Sequence, residues 1–505
     1  MHLSLATISK IGKEKDDVCY EQIFSLPEKV LQFGTGVLLR GLPDYFINKA
    51  NQRGIFNGRI VAVKSTSQGD VDVFNKQDCL YTLCVNGIKD GKIVEETTIN
   101  SSISRVLLAN SNWNEILKCA ENPQMEIVIS NTTEVGIQLT NDDIHTFPPL
   151  SFPGKLLSFL HKRYTYFKGD SSKGMVIIPT ELIPDNGTKL LSVLIELSLQ
   201  NKLEDSFKEW LINDNHFCNS LVDRIVPGKL PPEKQKQREL LLGYKDELLI
   251  TAEPYRLWAI EIKNDEVKQL LSFSECDEGV VLSPDINLYR ELKLRLLNGT
   301  HTFCCGLAYL AGFNTVKEAM ANEVFSLFVN TLIKEEIVPA ICGNSITATM
   351  AYEFAEEVLD RFRNPYIEHQ WLNVCQNYTL KMKTRNIATI KNYFNKNKNI
   401  PVCMALGMAA FILFMKAEQR DKRFYGKTNN KGYEIQDSNL PLIYEKWQNS
   451  STTEVVRTIL SDTNIWETDL TELAGFEKAV QENLNELTQN NALQAINTTL
   501  GKLIT

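Results

Sequence analysis

The sequence is poor in the features that usually mark metal, disulfide or membrane chemistry. Its six histidines are scattered, with no HxH or HExxH pair and no Cys/His cluster, so no metal site is expected. Eleven cysteines stand without any CxxC spacing. That odd, irregular set fits thiols kept reduced, most of them acting as small core hydrophobes. The first residues, MHLSLATISKIGKEKDD, lack a basic segment followed by an apolar core; no secretory leader is expected, and the compartment is read as cytoplasmic. The longest apolar run, VCMALGMAAFILFM (402–415), has 14 residues, short for a membrane span and right for a buried helix. No internal repeat or low-complexity tract occurs. A formal net charge of -8 argues against general binding to nucleic acid or anionic membrane. The basic stretch PPEKQKQRE (231–239) is read as a solvated loop.

What is present is an ordinary globular composition, 43% hydrophobic and 23% charged over 505 residues, long enough for two or three domains. The first part alternates strand-like and helix-like segments. An apolar run ends at Phe33, LPDYFINKANQRG (42–54) has a helical pattern, and RIVAVKS (59–65) returns to strand. MEIVISNTT (125–133) and GMVIIPTEL (174–182) are unbroken apolar runs with GKLLSFLHKRYTYF (154–167), a helical pattern, between them. Unbroken runs are expected of strands buried on both faces of a parallel sheet. The prediction for residues 1–283 is therefore an α/β, Rossmann-like dinucleotide-binding domain. From 284 to 505 long helical patterns dominate and strand signals are scarce, which predicts a mainly α-helical C-terminal domain.

Two motifs carry chemistry. The segment LQFGTGVLL (31–39) reads as strand, glycine turn and helix, a setting in which backbone N–H groups can face a pyrophosphate. The full fingerprint has a third glycine where this chain has Leu39, and a tight turn without a ligand fits the same residues. The next strand ends in Lys64, Ser65 and Thr66 rather than in the acid that holds a ribose 2′-hydroxyl. NAD and NADP both stay open on that ground. The second motif, KLRLLNGTHTF (293–303), holds Lys293, Asn298 and His301. On an α-helix they fall at roughly 0°, 140° and 80°, one broad face with His301 central. An amine can serve as acid or base and an amide can polarise a carbonyl. A snorkelling lysine, a backbone-bonded asparagine and a satisfied core histidine account for the same pattern.

Lys-x4-Asn-x2-His resembles the signature of the polyol-specific long-chain dehydrogenases, the mannitol dehydrogenase family. The resemblance runs over nearly the whole chain. FGTGVLLRG (33–41) is similar to the family's N-terminal glycine segment and ISNTTEVGI (129–137) to its Thr-Glu strand end. NSLVDRIVP (219–227) and RFRNPYIEHQW (361–371), which includes His369, are similar to two further family blocks. The resemblance implies a metal-independent, NAD-linked oxidoreductase with Lys293 as general acid/base, Asn298 holding the reacting oxygen and His301 orienting it. It implies cofactor contacts from Phe33, Gly34, Thr35, Gly36, Val37, Leu38, Arg40, Asn131, Thr133 and Glu134. TELIPDNG (180–187) departs from the mannitol dehydrogenase pattern, with Leu182 in place of an oxyanion-binding asparagine. It looks like the tagaturonate reductase branch, whose substrate is a hexuronate. Glu181, Asn186 and Asp223 are then expected near the substrate, and Lys381 and Arg385 of NYTLKMKTRN (377–386) to bind its carboxylate. Lys381 and Arg385, four apart, are favoured over Lys383.

Overall fold

In the computed structural model, residues 1–11, 20–65, 71–132, 136–343, 345–428 and 431–502 are described. The chain divides into two compact units, Met1–Asn86 with Ile93–Ile286, and Gly87–Lys92 with Asn287–Thr505.

The first unit is built on six parallel strands, β1 (Glu28–Phe33), β2 (Arg59–Lys64), β3 (Ile103–Leu108), β4 (Ile127–Ser130), β5 (Val176–Pro179) and β6 (His216–Phe217). Their spatial order is 3-2-1-4-5-6, the doubly wound Rossmann arrangement. Successive side chains of one strand feed different cores. Val30, Ile60, Ala62, Ile127, Ile129, Val176 and Ile178 join the cluster on one face; Leu31, Phe33, Val61, Val63, Val128 and Ile177 join the cluster on the other. Period-two alternation with both faces covered is why these strands read as continuous apolar runs. The order reverses between β1 and β4, so the loops after Phe33 and Ser130 stand at the switch point, at the strands' carboxyl ends, where sheets of this order bind their ligands.

Several elements were not anticipated. Strands Tyr81–Lys89 and Lys92–Asn100 form a hairpin turned by Asp90 and Gly91, with φ of 52° and 71°, a pair of positive values that defines a type I′ turn. Ser220–Asp223, Leu257–Glu261 and Val280–Ser283 make a separate three-stranded sheet. Of residues 231–239, read above as a loop, all but the capping Pro231 belong to an exposed helix, Pro232–Leu242.

In the second unit the helix Thr300–Leu310 packs on Val402–Phe414, the 402–415 run, and the two are almost wholly buried. Gly407 permits the contact: a Cβ there would come within 2.9 Å of the Phe303 ring. No described helix is long and apolar enough to cross a membrane. A small antiparallel sheet, Glu418–Arg420, Arg423–Thr428 and Lys431–Glu434, interrupts the helical texture.

The buried start of Val402–Phe414 has an acidic cap from another segment. The Glu336 carboxylate accepts the N–H groups of Cys403 (2.7 Å) and Met404 (2.8 Å), satisfying donors that the helix itself leaves open. Burial nevertheless pushes its pKa up to about 7. The folded state thus holds a proton that the unfolded state has released, and stability falls as pH rises from about 4.5 to about 7. At about 1.4 kcal/mol per unit of pKa difference the loss is a few kcal/mol. Urea denaturation between pH 5 and 8 should show a shallower slope in Glu336→Gln than in the wild type; equal slopes would contradict the assignment.

Candidate functional site

At the switch point, Gly34 follows β1 with φ of 132° and donates its N–H to the Val63 carbonyl of β2 (2.9 Å). A Cβ at Gly34 would lie 2.7 Å from Leu39 Cδ1 and 3.1 Å from the Asn131 carbonyl oxygen. Leu39 therefore packs into the space that the missing side chain leaves, which explains a leucine where the fingerprint has a third glycine. Gly36 is the opposite case: a Cβ there would meet nothing within 4 Å. It stands at the N-cap of the Val37–Gly41 helix, where a phosphate can approach backbone N–H groups closely. Thr35 is partly exposed, while Val37 and Leu38 are half-buried against the core. Asn131 ties β4 to its neighbours, its N–H to the Phe33 carbonyl (3.1 Å) and its Nδ2 to the Thr180 carbonyl and hydroxyl, both at 3.0 Å. Thr133 and Glu134 lie outside the described residues.

Three expected contacts, Arg40, Asn186 and Glu181, are engaged by the protein itself. Arg40 turns inward: its guanidinium donates to the Leu248 carbonyl (2.7 Å) and lies over the Tyr81 and Phe74 rings, at 5.2 and 5.8 Å from their centroids. On this short helix residues 39 to 41 form the buried side, so Arg40 is a core cation and not a cofactor contact. Asn186 is also spent on the protein. Its Nδ2 donates to the carbonyls of Pro179, Glu181 and Ser220, and its Oδ1 accepts from Gly187 and Ser220. Buried with its amide so engaged, it joins the β5 loop to the Ser220–Asp223 strand and has nothing left for a substrate. The Glu181 carboxylate accepts from Ser130 Oγ (3.1 Å) and from the N–H and hydroxyl of Thr132 (2.8 and 2.9 Å), which shapes the loop after β4. Asp223 is buried at the end of its strand, opposite Leu257. Leu182 is 60% exposed.

In the helical unit, the angles between Lys293, Asn298 and His301 differ from the α-helical ones for a physical reason. Lys293–Gly299 is a π-helical turn, and the α-helix begins only at Thr300. With i→i+5 bonding, residues five apart lie one turn above one another, so Lys293 and Asn298 stand closer together on the shared face than α-geometry places them. Both are partly exposed, whereas His301 is buried. Its ring stacks on Phe362 (4.1 Å, 19°) and meets His369 edge-on (5.0 Å, 75°), with Trp371 at 5.9 Å. Its Nε2 is buried with no hydrogen-bond partner among the described residues. Burial first, then the charges of His369, Arg361, Arg385 and Lys381, hold its pKa well below the usual value. His301 is a neutral imidazole at physiological pH.

A second π-helical turn, Met382–Ile387, packs against the first. Arg295 donates to the carbonyls of Thr384 (3.1 Å) and Arg385 (2.7 Å), and Asn386 Nδ2 to that of Gly299 (3.2 Å). This stitching presents the Arg385 guanidinium to Thr302 Oγ1 (3.2 Å), whose hydroxyl is in turn anchored on the Asn298 carbonyl (2.7 Å). Lys381 donates to the Val374 carbonyl (2.9 Å), and burial together with Arg385 lowers its pKa. Lys383 points elsewhere, to Glu467 at 2.7 Å. The unit thus gathers His301, His369, Arg361, Lys381 and Arg385 around one ring, a basic surround suited to an anion. Arg295, Thr302 and Arg361 were missed as members. Only the quoted blocks around them hinted at their presence, because their meeting depends on two π turns. Among the described residues no group of His, Cys, Asp or Glu could hold a metal ion.

Comparison with known proteins agrees with this architecture. Residues 28–271 match the family model of the mannitol dehydrogenase Rossmann domain, and residues 285–488 that of the mannitol dehydrogenase C-terminal domain. The chain is 35% identical to an altronate oxidoreductase of Bacillus subtilis, over 93% of this chain and 94% of that one. It is 36% identical to an altronate oxidoreductase of Halalkalibacterium halodurans, over 95% and 94%. Two solved structures share its fold. One is the Pseudomonas fluorescens mannitol 2-dehydrogenase ternary complex with NAD and D-mannitol (TM-score 0.65, 21% identity, 100% of this chain and 99% of that one). The other is a substrate-free D-sorbitol dehydrogenase (TM-score 0.78, 17% identity, 98% and 100%). Fold, domain matches and identity over nearly the full length converge: the chain belongs to the mannitol dehydrogenase family.

Proposed function

We propose that the protein is an NAD-dependent oxidoreductase of the tagaturonate reductase (altronate oxidoreductase) type, interconverting D-tagaturonate and D-altronate. The observation that carries the reading is the basic surround of His301, in a chain whose relatives at 35% and 36% identity are altronate oxidoreductases. A hexuronate differs from an uncharged polyol by its carboxylate, and Arg385 and Lys381 supply charges for it.

The open face of Gly36 and the positive φ of Gly34 suit a dinucleotide pyrophosphate. Gly34 to Leu38 and Asn131 would hold the cofactor, which supplies or accepts the hydride at the carbinol carbon. In the reduction the Lys293 ammonium gives its proton to the carbonyl oxygen and recovers one from solvent. Asn298 donates a hydrogen bond to that oxygen and polarises it. The neutral imidazole of His301 orients the same oxygen without competing for the proton. Glu181 and Asn186 act indirectly, by fixing the loops on which cofactor-contacting residues stand.

Lys293→Ala should lower turnover roughly 100- to 10,000-fold while NADH still binds with near-normal affinity; retained turnover would remove the mechanism. Arg385→Ala should raise KM for tagaturonate roughly tenfold or more, the scale of a lost charge-assisted hydrogen bond, and leave KM for fructose nearly unchanged. Equal effects on both would remove the carboxylate role. Initial rates on tagaturonate, fructuronate and fructose with NADH and with NADPH test the substrate and nucleotide assignments. Highest kcat/KM for tagaturonate with NADH is expected.

A further inference from the structure

Beneath the glycine turn lies a polar group that no step above uses. Gln32 interrupts the apolar run of β1 and is fully buried. Its Nε2 donates to the Gly34 carbonyl (3.2 Å) and, at the long end of hydrogen-bond range, to Asp44 Oδ2 (3.5 Å). Asp44 is fully buried in the first turn of the Pro43–Gln52 helix. Three atoms of this cluster are buried without a hydrogen-bond partner among the described residues: Gln32 Oε1, Asp44 Oδ1 and Arg40 Nε. Unpaired buried acceptors are costly, and here two of them belong to groups already in contact.

The charged and titratable groups acting on Asp44 are Arg40 from the Val37–Gly41 helix and Tyr81 from its strand; Asp246 lies behind both. Tyr81 gives its hydroxyl proton to the Arg40 carbonyl (2.7 Å). Burial pushes the Asp44 carboxyl up to about 7, against the pull of Gln32 and Arg40. Its two protonation states ask different things of Gln32. A carboxylate only accepts, so it favours the amide with its NH2 group toward Asp44, the orientation that also serves the Gly34 carbonyl. A carboxylic acid has an O–H to donate, and Gln32 Oε1, on the amide already in contact, is an unpaired acceptor among the described residues. Turning the amide to meet it withdraws the donor from Gly34.

We propose that Asp44 is a positioning residue for the cofactor turn: its ionised carboxylate holds the Gln32 amide against the Gly34 carbonyl, its protonation releases that hold, and dinucleotide binding is tighter on the alkaline side of neutrality. The inference rests on the assignment of the glycine turn as the nucleotide site.

Fluorescence titration of the full-length protein with NADH from pH 5.5 to 8.5 tests it, with thermal melting of each variant alongside. Wild-type Kd should fall several-fold between pH 6 and pH 8, on the scale of one hydrogen bond. Asp44→Asn should keep a single, pH-independent Kd and a folded melting profile. Gln32→Met should also bind with no pH slope, and it carries the test if Asp44→Asn fails to fold. A wild-type Kd that does not change with pH, or a slope retained in either variant, would overturn the proposal. Absence of saturable NADH binding at every pH is a separate result, and it would overturn the cofactor assignment beneath it.

Discussion

Everything at the nucleotide end depends on one close approach. The backbone leaving β1 passes so near the Asn131 carbonyl and the Leu39 side chain that residue 34 can carry no side chain of its own. That contact sets where the glycine turn lies between β1 and β4. It also decides how the following helix is oriented, and so which of its residues face outward. Leu39 and Arg40 go inward, while Gly36 stays open to solvent. The same packing that fills the core therefore leaves space open at Gly36. Two glycines on either side of Thr35 serve the turn in different ways, one by tightness and the other by emptiness.

The helical unit uses a different constraint. Its polar groups are presented by two π turns that lock together through Arg295 and Asn386. Neither turn alone would gather the cluster, because Lys293 and Asn298 stand on one segment and Lys381 and Arg385 at or near the other. Around His301 the aromatic rings of Phe362 and Trp371 and the charges of Arg361, Lys381 and Arg385 act together. They exclude water and keep the imidazole uncharged. Such a basic surround is suited to an incoming anion.

The parts that could be read in the sequence are those where burial writes a regular pattern. Strands β2, β4 and β5 sit under unbroken apolar runs because both faces of the sheet are covered, and the 402–415 helix is apolar all round for the same reason. Hydrophobic pattern carries less information where one face is polar. The hairpin after Tyr81 escaped notice although Asp90-Gly91 marks its turn, and so did the small sheet from Glu418 to Glu434. Side-chain direction was the hardest to read. Arg40 and Asn186 look like ligand contacts because polar residues beside a glycine turn or a strand end invite that reading. In the fold, their polar atoms satisfy buried backbone carbonyls. The angle of Asn298 is read as α-helical because nothing in KLRLLNG announces a change from i→i+4 to i→i+5 bonding.

That last feature has a genetic side. A π turn is an α-helix holding one surplus residue, and ordinary helix geometry lies one residue away. Loss of a single codon between positions 293 and 299 would let the segment relax into a regular α-helix with its hydrogen bonds intact. The protein would keep its apolar core and its helix, and the amine and the amide, then four residues apart on an α-helix, would still share one side. An in-frame deletion here would thus be absorbed by the helix, whereas one in a regular α-helix turns every following side chain by about 100°.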